Sequence, residues 1–246
     1  MSRSALTLRL LRPLLASVAL ILCAPLAAQS NAQSINKDAM TERVAACTAC
    51  HGEAGRAAAD GYYPRIAGKP AGYLYNQLIN FRDGRRQWPL MIYLVDHLSD
   101  SYLLEMSEHF AQVKLPYPPP QVVNVPASVM ELGRQLVVSG NPGKGIPACA
   151  TCHGARLTGM EPAIPGLLGL PRDYLNAQFG AWKNGSRRAV APDCMAEIAE
   201  RLTVEEISAA SAWLASQPVP ADYVALPATD AKLPMECGNA LQEVKR

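Results

Sequence analysis

The six residues "CTACHG", 47–52, return as "CATCHG", 149–154, in a chain of 246 residues that holds only seven cysteines and four histidines. The likeness spreads outward from these motifs. "PRIAGKPAGYLYNQLINFRDGRR" (64–86) and "PGLLGLPRDYLNAQFGAWKNGSR" (165–187) match at a constant offset of 101. Pro64, Gly68, Tyr73, Leu74, Gln77, Gly84 and Arg86 thereby meet Pro165, Gly169, Tyr174, Leu175, Gln178, Gly185 and Arg187. Farther on, "PLMIYLVDHLSDSYLLEMSEHFAQ" meets "PDCMAEIAERLTVEEISAASAWLASQ" at an offset of 104, so three residues were inserted between the blocks. Two copies make a duplicated domain of about 90 residues, too few for a solenoid.

Within each copy the elements read as helices. Ser34–Cys50 and Ser128–Ser139 lead into the motifs. "AGYLYNQLINFRDG" and "RDYLNAQFGAWKNG" space apolar residues three and four apart and end in glycine. "LSDSYLLEMSEHFAQ" and "LTVEEISAASAWLAS" open with Ser or Thr followed by acids, as a helix N-terminus should. With no alternating strand in sight, the expected fold is all-α, a tandem duplication of one helical domain. The boundary is written in proline: "LPYPPPQVVNVPAS" (115–128) cannot continue a helix and favours an extended connection. The expected organisation is residues 33–114, a linker at 115–127, residues 128–217, and an extended tail at 218–246.

The first 32 residues read as a cleaved signal peptide. Arg3, Arg9 and Arg12 precede the apolar run "LLASVALILCAPLAA", which is shorter than the roughly 20 residues a membrane span needs. Cleavage after Ala28 or Ala32 fits the small residues there, and an uncleaved N-terminal anchor is the alternative. Cys23 follows Leu22 rather than the small residue a lipoprotein site wants. Of 23 basic residues three leave with this segment, so 20 face 21 acids, a net charge of −1. Bulk charge therefore gives no support to nucleic-acid binding. The full chain is 49% hydrophobic and 18% charged; with no second span-length apolar run, the mature protein is expected to be exported to the periplasm without stable membrane insertion.

Cys-x-x-Cys-His is the attachment signature of a c-type haem. Two cysteines three positions apart on a helical turn reach both vinyl groups of one porphyrin, and the next residue turns an imidazole toward the iron. Cys47 and Cys50 would hold one haem and Cys149 and Cys152 a second, with His51 and His153 as axial ligands. A zinc site could use such cysteine pairs but leaves each histidine and the repeat unexplained. A redox dithiol belongs in an α/β setting that is absent here.

The remaining axial ligand decides what such an iron does. Met91 lies seven residues before Leu98 of "LSD", and Met195 seven before Leu202 of "LTV". Methionine at both equivalent places is what two His/Met haems need; the competing reading is a pair of core gap-fillers. Met106, Met130, Met160, Met235, His97 and His109 have no counterpart in the other copy. Arg82, Arg85 and Arg86, matched by Lys183, Arg187 and Arg188, either neutralise haem propionates or sit at solvated helix ends.

On these residues the chain resembles the cytochrome c4 family, di-haem carriers built from two class I cytochrome c domains. The resemblance covers residues 35–217. It rests on the two motifs, the "P…G…YL…QL" blocks, and a methionine ahead of "LSD" or "LTV". It implies two covalent haem c groups, with the carbonyls of Pro64 and Pro165 orienting His51 and His153. Tyr73, Phe81, Tyr174 and Trp182 would line the pockets. It implies an electron carrier rather than an enzyme. The partners would be transient: a quinol-oxidising complex, a terminal oxidase or a dehydrogenase. The alternatives are a di-haem subunit of a periplasmic dehydrogenase and a di-haem enzyme such as a thiosulfate dehydrogenase. The apolar "WPLMIYLVDH", Cys194 beside Met195, and the long tail depart from the family pattern.

Cys194 and Cys237 remain after the haem cysteines and Cys23 are set aside. An even remainder in an oxidising compartment is expected to form a disulfide pinning the tail over the Met195 loop. Two free thiols, or Cys194 as an iron ligand, are the alternatives.

Overall fold

The structure, a computed structural model, describes residues 28–58, 61–227, 232–238 and 240, with side chains described from residue 40 onward. The expected signal segment, Cys23 included, lies outside the described residues up to residue 27. The chain divides into two units, Met1–Arg43 and Val44–Arg246, and both motifs fall in the second. Nine helices are described: α1 (Ala28–His51), α2 (Ala71–Arg82), α3 (Pro89–Val95), α4 (Asp100–Gln112), α5 (Ala127–Val138), α6 (Cys149–His153), α7 (Arg172–Lys183), α8 (Cys194–Arg201) and α9 (Val204–Ser216). Among the described residues no helix is long and apolar enough to cross a membrane.

Helices α4, α8 and α9 start where a side chain serves their open N–H groups. Ser99 accepts from Tyr102 N at the head of α4. Thr203 and Glu206 form a reciprocal capping box at the head of α9. Two short helices, α3 and α8, were not expected from the sequence; they carry Met91 and Met195. Seven or eight residues give too few turns for an apolar period to register. A second difference is a two-stranded antiparallel pair, β1 (Gly159–Met160) and β2 (Ile164–Pro165). With two residues a side, nothing in the pattern could announce it.

In the first half α2 packs on α3 and α4; in the second α5 and α7 pack on α9, and α7 on α8. Gly133 lets α5 cross α9 closely, since a Cβ there would collide with the Ala209 carbonyl. Val137, Leu157, Leu168, Leu175, Ala210 and Leu214 form the core at that crossing. The proline-rich stretch is extended, as its composition requires. Buried Arg65 donates to the carbonyls of Leu115 and Pro116 at its start and stacks 4.0 Å from the Tyr117 ring centre. The tail folds back over both. Tyr223 donates to Leu115 O at 3.0 Å, and Leu226 pairs with Gly159 and Glu161.

The two halves expected from the repeat are thus parts of one compact unit, joined along a short backbone seam. Arg86 and Arg187 pair as an antiparallel bridge, with Gln87 N donating to Ser186 O and Arg188 N to Arg85 O, each at 2.7 Å.

Candidate functional site

Each motif ends a helix at its histidine. Cys47, Cys50 and His51 occupy the last turn of α1; Cys149, Cys152 and His153 make up the short α6. Helical spacing puts the two thiols of a pair on one side. The glycine that follows has φ of 76° at Gly52 and 83° at Gly154, so the chain turns sharply away. A Cβ on Gly52 would strike the Ala57 carbonyl, which explains why the motif closes on glycine.

That turn brings a proline carbonyl under each imidazole. His51 Nδ1 lies 2.8 Å from Pro64 O, and His153 Nδ1 lies 2.8 Å from Pro165 O. A carbonyl can only accept, so each Nδ1 carries the proton and each Nε2 presents its lone pair. Both rings are buried. Burial pushes both histidines below their ordinary value. The proline hydrogen bond opposes this, and the charge of Arg86 at His51, or Lys69 at His153, adds to it. Both are therefore neutral at pH 7, the form that ligates a metal.

The four motif cysteines are free thiols. Burial pushes Cys47 and Cys152 above their ordinary value, and Cys149 up to about 11. Met91 is half-buried in the first turn of α3, and Met195 half-buried in the first turn of α8. The two occupy equivalent places, α3 packed on α2 and α8 on α7. Met106 and Met160 are core residues, and His97 is exposed beside Asp96.

Between the two motifs sits a cationic cluster with the pseudo-symmetry of the repeat. Arg86 donates to Gln77 Oε1 at 2.9 Å and to Gln178 Oε1 at 2.8 Å. Arg187 donates to Gln178 Oε1 at 2.6 Å and to Gln77 Oε1 at 3.2 Å. Arg187 is 7% exposed and lies 3.9 Å over the Trp182 ring centre. Burial and the neighbouring Arg86 charge push its guanidinium below the ordinary value. Burial pushes Tyr73 up, but the charges of Arg187, Arg86 and Lys69 outweigh it and leave the phenol low. Neither arginine has a carboxylate partner among the described residues, and Trp182 Nε1 is buried with no acceptor. Unpaired buried cations are costly, so this cluster fits carboxylates of a bound group. Haem propionates have that chemistry, and the free thiols and imidazole lone pairs fit the rest of the same group.

The other matched cations are helix-end residues. Arg82 donates to Leu98 O and Asp100, and Lys183 to Leu202 O and Ala199 O, at equivalent positions. Sequence reasoning gave the glutamines no role: Gln77 and Gln178 match across the copies, and that match was the available signal. Cys194 and Cys237, 43 residues apart, form a disulfide with Cα atoms 5.0 Å apart.

No family model matches the chain. A thiosulfate dehydrogenase electron acceptor of Thiomonas intermedia is 37% identical over 175 residues, 71% of this chain and 80% of that protein. One from Stutzerimonas stutzeri is 32% identical over 204 residues, 82% and 93% of the two. Cytochrome c4 of Pseudomonas aeruginosa is 30% identical over 174 residues, 70% and 84%. Among solved structures, reduced cytochrome c4 from Pseudomonas stutzeri superposes with a TM-score of 0.63 at 27% identity, covering 73% of this chain and 97% of that one. A thiosulfate dehydrogenase from Marichromatium purpuratum gives a TM-score of 0.61 at 30% identity over 70% of this chain and 36% of that one.

Proposed function

The chain belongs to the cytochrome c4 family of di-haem electron carriers, and from that premise we propose how its residues hold and use the two haems. Cys47 and Cys50 attach the first and Cys149 and Cys152 the second, each through two thioethers. His51 and Met91 would ligate one iron, and His153 and Met195 the other. The observation that carries this reading is the pair of buried imidazoles, each tied at Nδ1 to a proline carbonyl at 2.8 Å. That bond fixes the tautomer, aims Nε2, and strengthens the donor.

When bound, each haem supplies an iron that cycles between Fe(III) and Fe(II). The chain's own work is to keep that cycle closed to other ligands. Met91 and Met195 would supply the remaining ligand of each iron, and thioether sulfur favours Fe(II). Arg86, Arg187 and Trp182 take the propionates, so that neither the cations nor the indole N–H stay unpaired. The seam at Arg86 and Arg187 holds the two sites together for exchange within one unit. With a histidine and a methionine on each iron no position would be left for a substrate, which supports a carrier rather than an enzyme. Export to the periplasm, organisation as 33–114, 115–127, 128–217 and 218–246, and weak docking to redox partners complete the reading.

A more specific partner is favoured by the two relatives named as thiosulfate dehydrogenase electron acceptors, at 37% and 32% identity. We propose that this protein takes electrons from such an enzyme and passes them to a respiratory acceptor. The test is to mix the oxidised di-haem protein with thiosulfate, alone and with a separate thiosulfate-oxidising enzyme. Haem reduction only when the enzyme is present is the expected result. Turnover with thiosulfate alone makes the protein itself a dehydrogenase.

A further inference from the structure

Each haem site has a buried cation that the other copy lacks: Arg65 follows Pro64 in the first half, where its repeat counterpart is Gly166, and Lys69 serves the second. Lys69 belongs to the first half, just before α2, yet its ammonium reaches into the second: Nζ donates to Gly166 O at 3.3 Å. Gly166 follows Pro165, whose carbonyl takes the His153 proton. Lys69 is 5% exposed, and this is its one hydrogen bond among the described residues; no carboxylate pairs with it. Its other close partner is the Tyr117 ring, whose centre lies 5.9 Å away. The charge is felt at His153 and at Tyr73. At the repeat offset of 101 its counterpart is Leu170, which carries no charge. The arginine pair Arg86 and Arg187 is shared across the seam by symmetry. Lys69 is not.

We propose that Lys69 is a tuning residue supplied by the first half to the second half's haem, raising that haem's reduction potential more than it raises the first's. This rests on the haem-carrying reading above. A fixed positive charge beside a redox centre disfavours the more positive Fe(III) state, and burial keeps solvent and salt from screening it. Because the cation leans over the Pro165–Gly166 segment rather than over Pro64, its field acts unequally on the two irons.

The test uses the purified di-haem protein. Haem content and the low-spin spectrum come first: fewer than two covalent haems per wild-type chain would defeat the carrier reading itself, not this inference. Both potentials are then measured by spectropotentiometry, with each wave assigned through the haem methyl resonances of its half. In Lys69→Met, the Fe(III)/Fe(II) balance of the second half's haem should shift about tenfold toward Fe(III), a fall of about 59 mV for a one-electron couple, with a smaller change at the first. Lys69→Gln should repeat that shift, so failure of one variant to fold does not stop the test. Lys69→Arg, which keeps the charge, should restore the gap. A change of equal size at both haems, a change at the first alone, or none in any folded neutral variant would overturn the proposal.

Discussion

The two copies of the domain agree where the cofactor is gripped and part company where it is covered. Both have the cysteine pair, the glycine turn, the proline carbonyl under the imidazole, and a methionine in the first turn of a short helix. Around the methionine they differ. The first half presents Tyr62, Trp88, Leu90 and Tyr93 at 57, 40, 45 and 75% exposure, with the Tyr62 and Trp88 rings 5.5 Å apart. In the second half Asp193 caps α8 by accepting from Ala196 N, and Cys194 ties the helix to the tail through Cys237. Ligand geometry tolerates little change, so duplication preserved it. The outer cover has no such constraint, and one copy stayed open and apolar while the other was stapled.

Removing the grip tests the shared part and gives the largest effect. Cys149→Ser combined with Cys152→Ser should leave one covalent haem per chain, as should Cys47→Ser with Cys50→Ser, read by mass and by haem absorbance. The second half has its own aliphatic clusters, with Leu136, Ile146, Leu202 and Ile207 beside the α5–α9 core. The first half buries Leu74, Phe81, Leu103, Leu104 and Phe110, so each half should keep part of its helical circular dichroism after losing its haem. Complete loss in either would mean the haem, not the apolar core, organises that half.

Next in size is the axial sulfur. Met91→Ala and Met195→Ala should each lower one reduction potential and open one iron to carbon monoxide, leaving the other haem's spectrum nearly unchanged. The staple should make the two differ in rate: carbon monoxide should enter the Met91→Ala site faster. If neither variant altered the spectrum, both methionines would be core residues.

The staple itself comes third. Closing a loop of this length is worth about 3–4 kcal/mol in the chain-entropy model. Cys194→Ser with Cys237→Ser should lower the second half's unfolding free energy by up to that much. The first half's haem absorbance should melt where it did before, unless the two halves unfold as one cooperative unit.

How much of this the sequence disclosed follows from what each feature depends on. The motifs, the glycine turns and the long helices α2, α4, α7 and α9 are local and repeat at fixed offsets, so a pattern exposes them. The disulfide was legible by counting, since cysteine chemistry leaves few ways to pair two leftovers. Helices α3 and α8 were not, because seven and eight residues hold too little period. The seam was invisible for a different reason. Arg86 and Arg187 are joined by a backbone bridge that residue types do not specify, and each accepts help from a glutamine of the other half. Lys69 stands out in no sequence pattern, because its burial depends on the second half's Gly166 segment packing over it.

The smallest expected effect separates the two final helices. In α9 the Glu206 carboxylate accepts from Thr203 N at 2.8 Å and from Lys144 Nζ at 2.7 Å, whereas α4 has a serine cap with tyrosine at the third position. Burial pushes Glu206 upward, but Lys144 and the Thr203 backbone and hydroxyl outweigh it, so its carboxyl ends below the ordinary value of 4.5. A carboxyl with a folded value below its unfolded one contributes stability above the unfolded value and loses it as pH falls through the folded one. Glu206→Gln keeps the shape and one acceptor but gives up the charge. It should cost the second half about 1 kcal/mol at pH 7, in the range of a helix cap, and nothing once the pH lies below the folded value. Equilibrium unfolding of wild type and variant at pH 7 and at pH 3 checks this: the two curves should separate at the first and draw together at the second. A gap that persisted unchanged into acid would assign the loss to packing around Glu206 rather than to its charge.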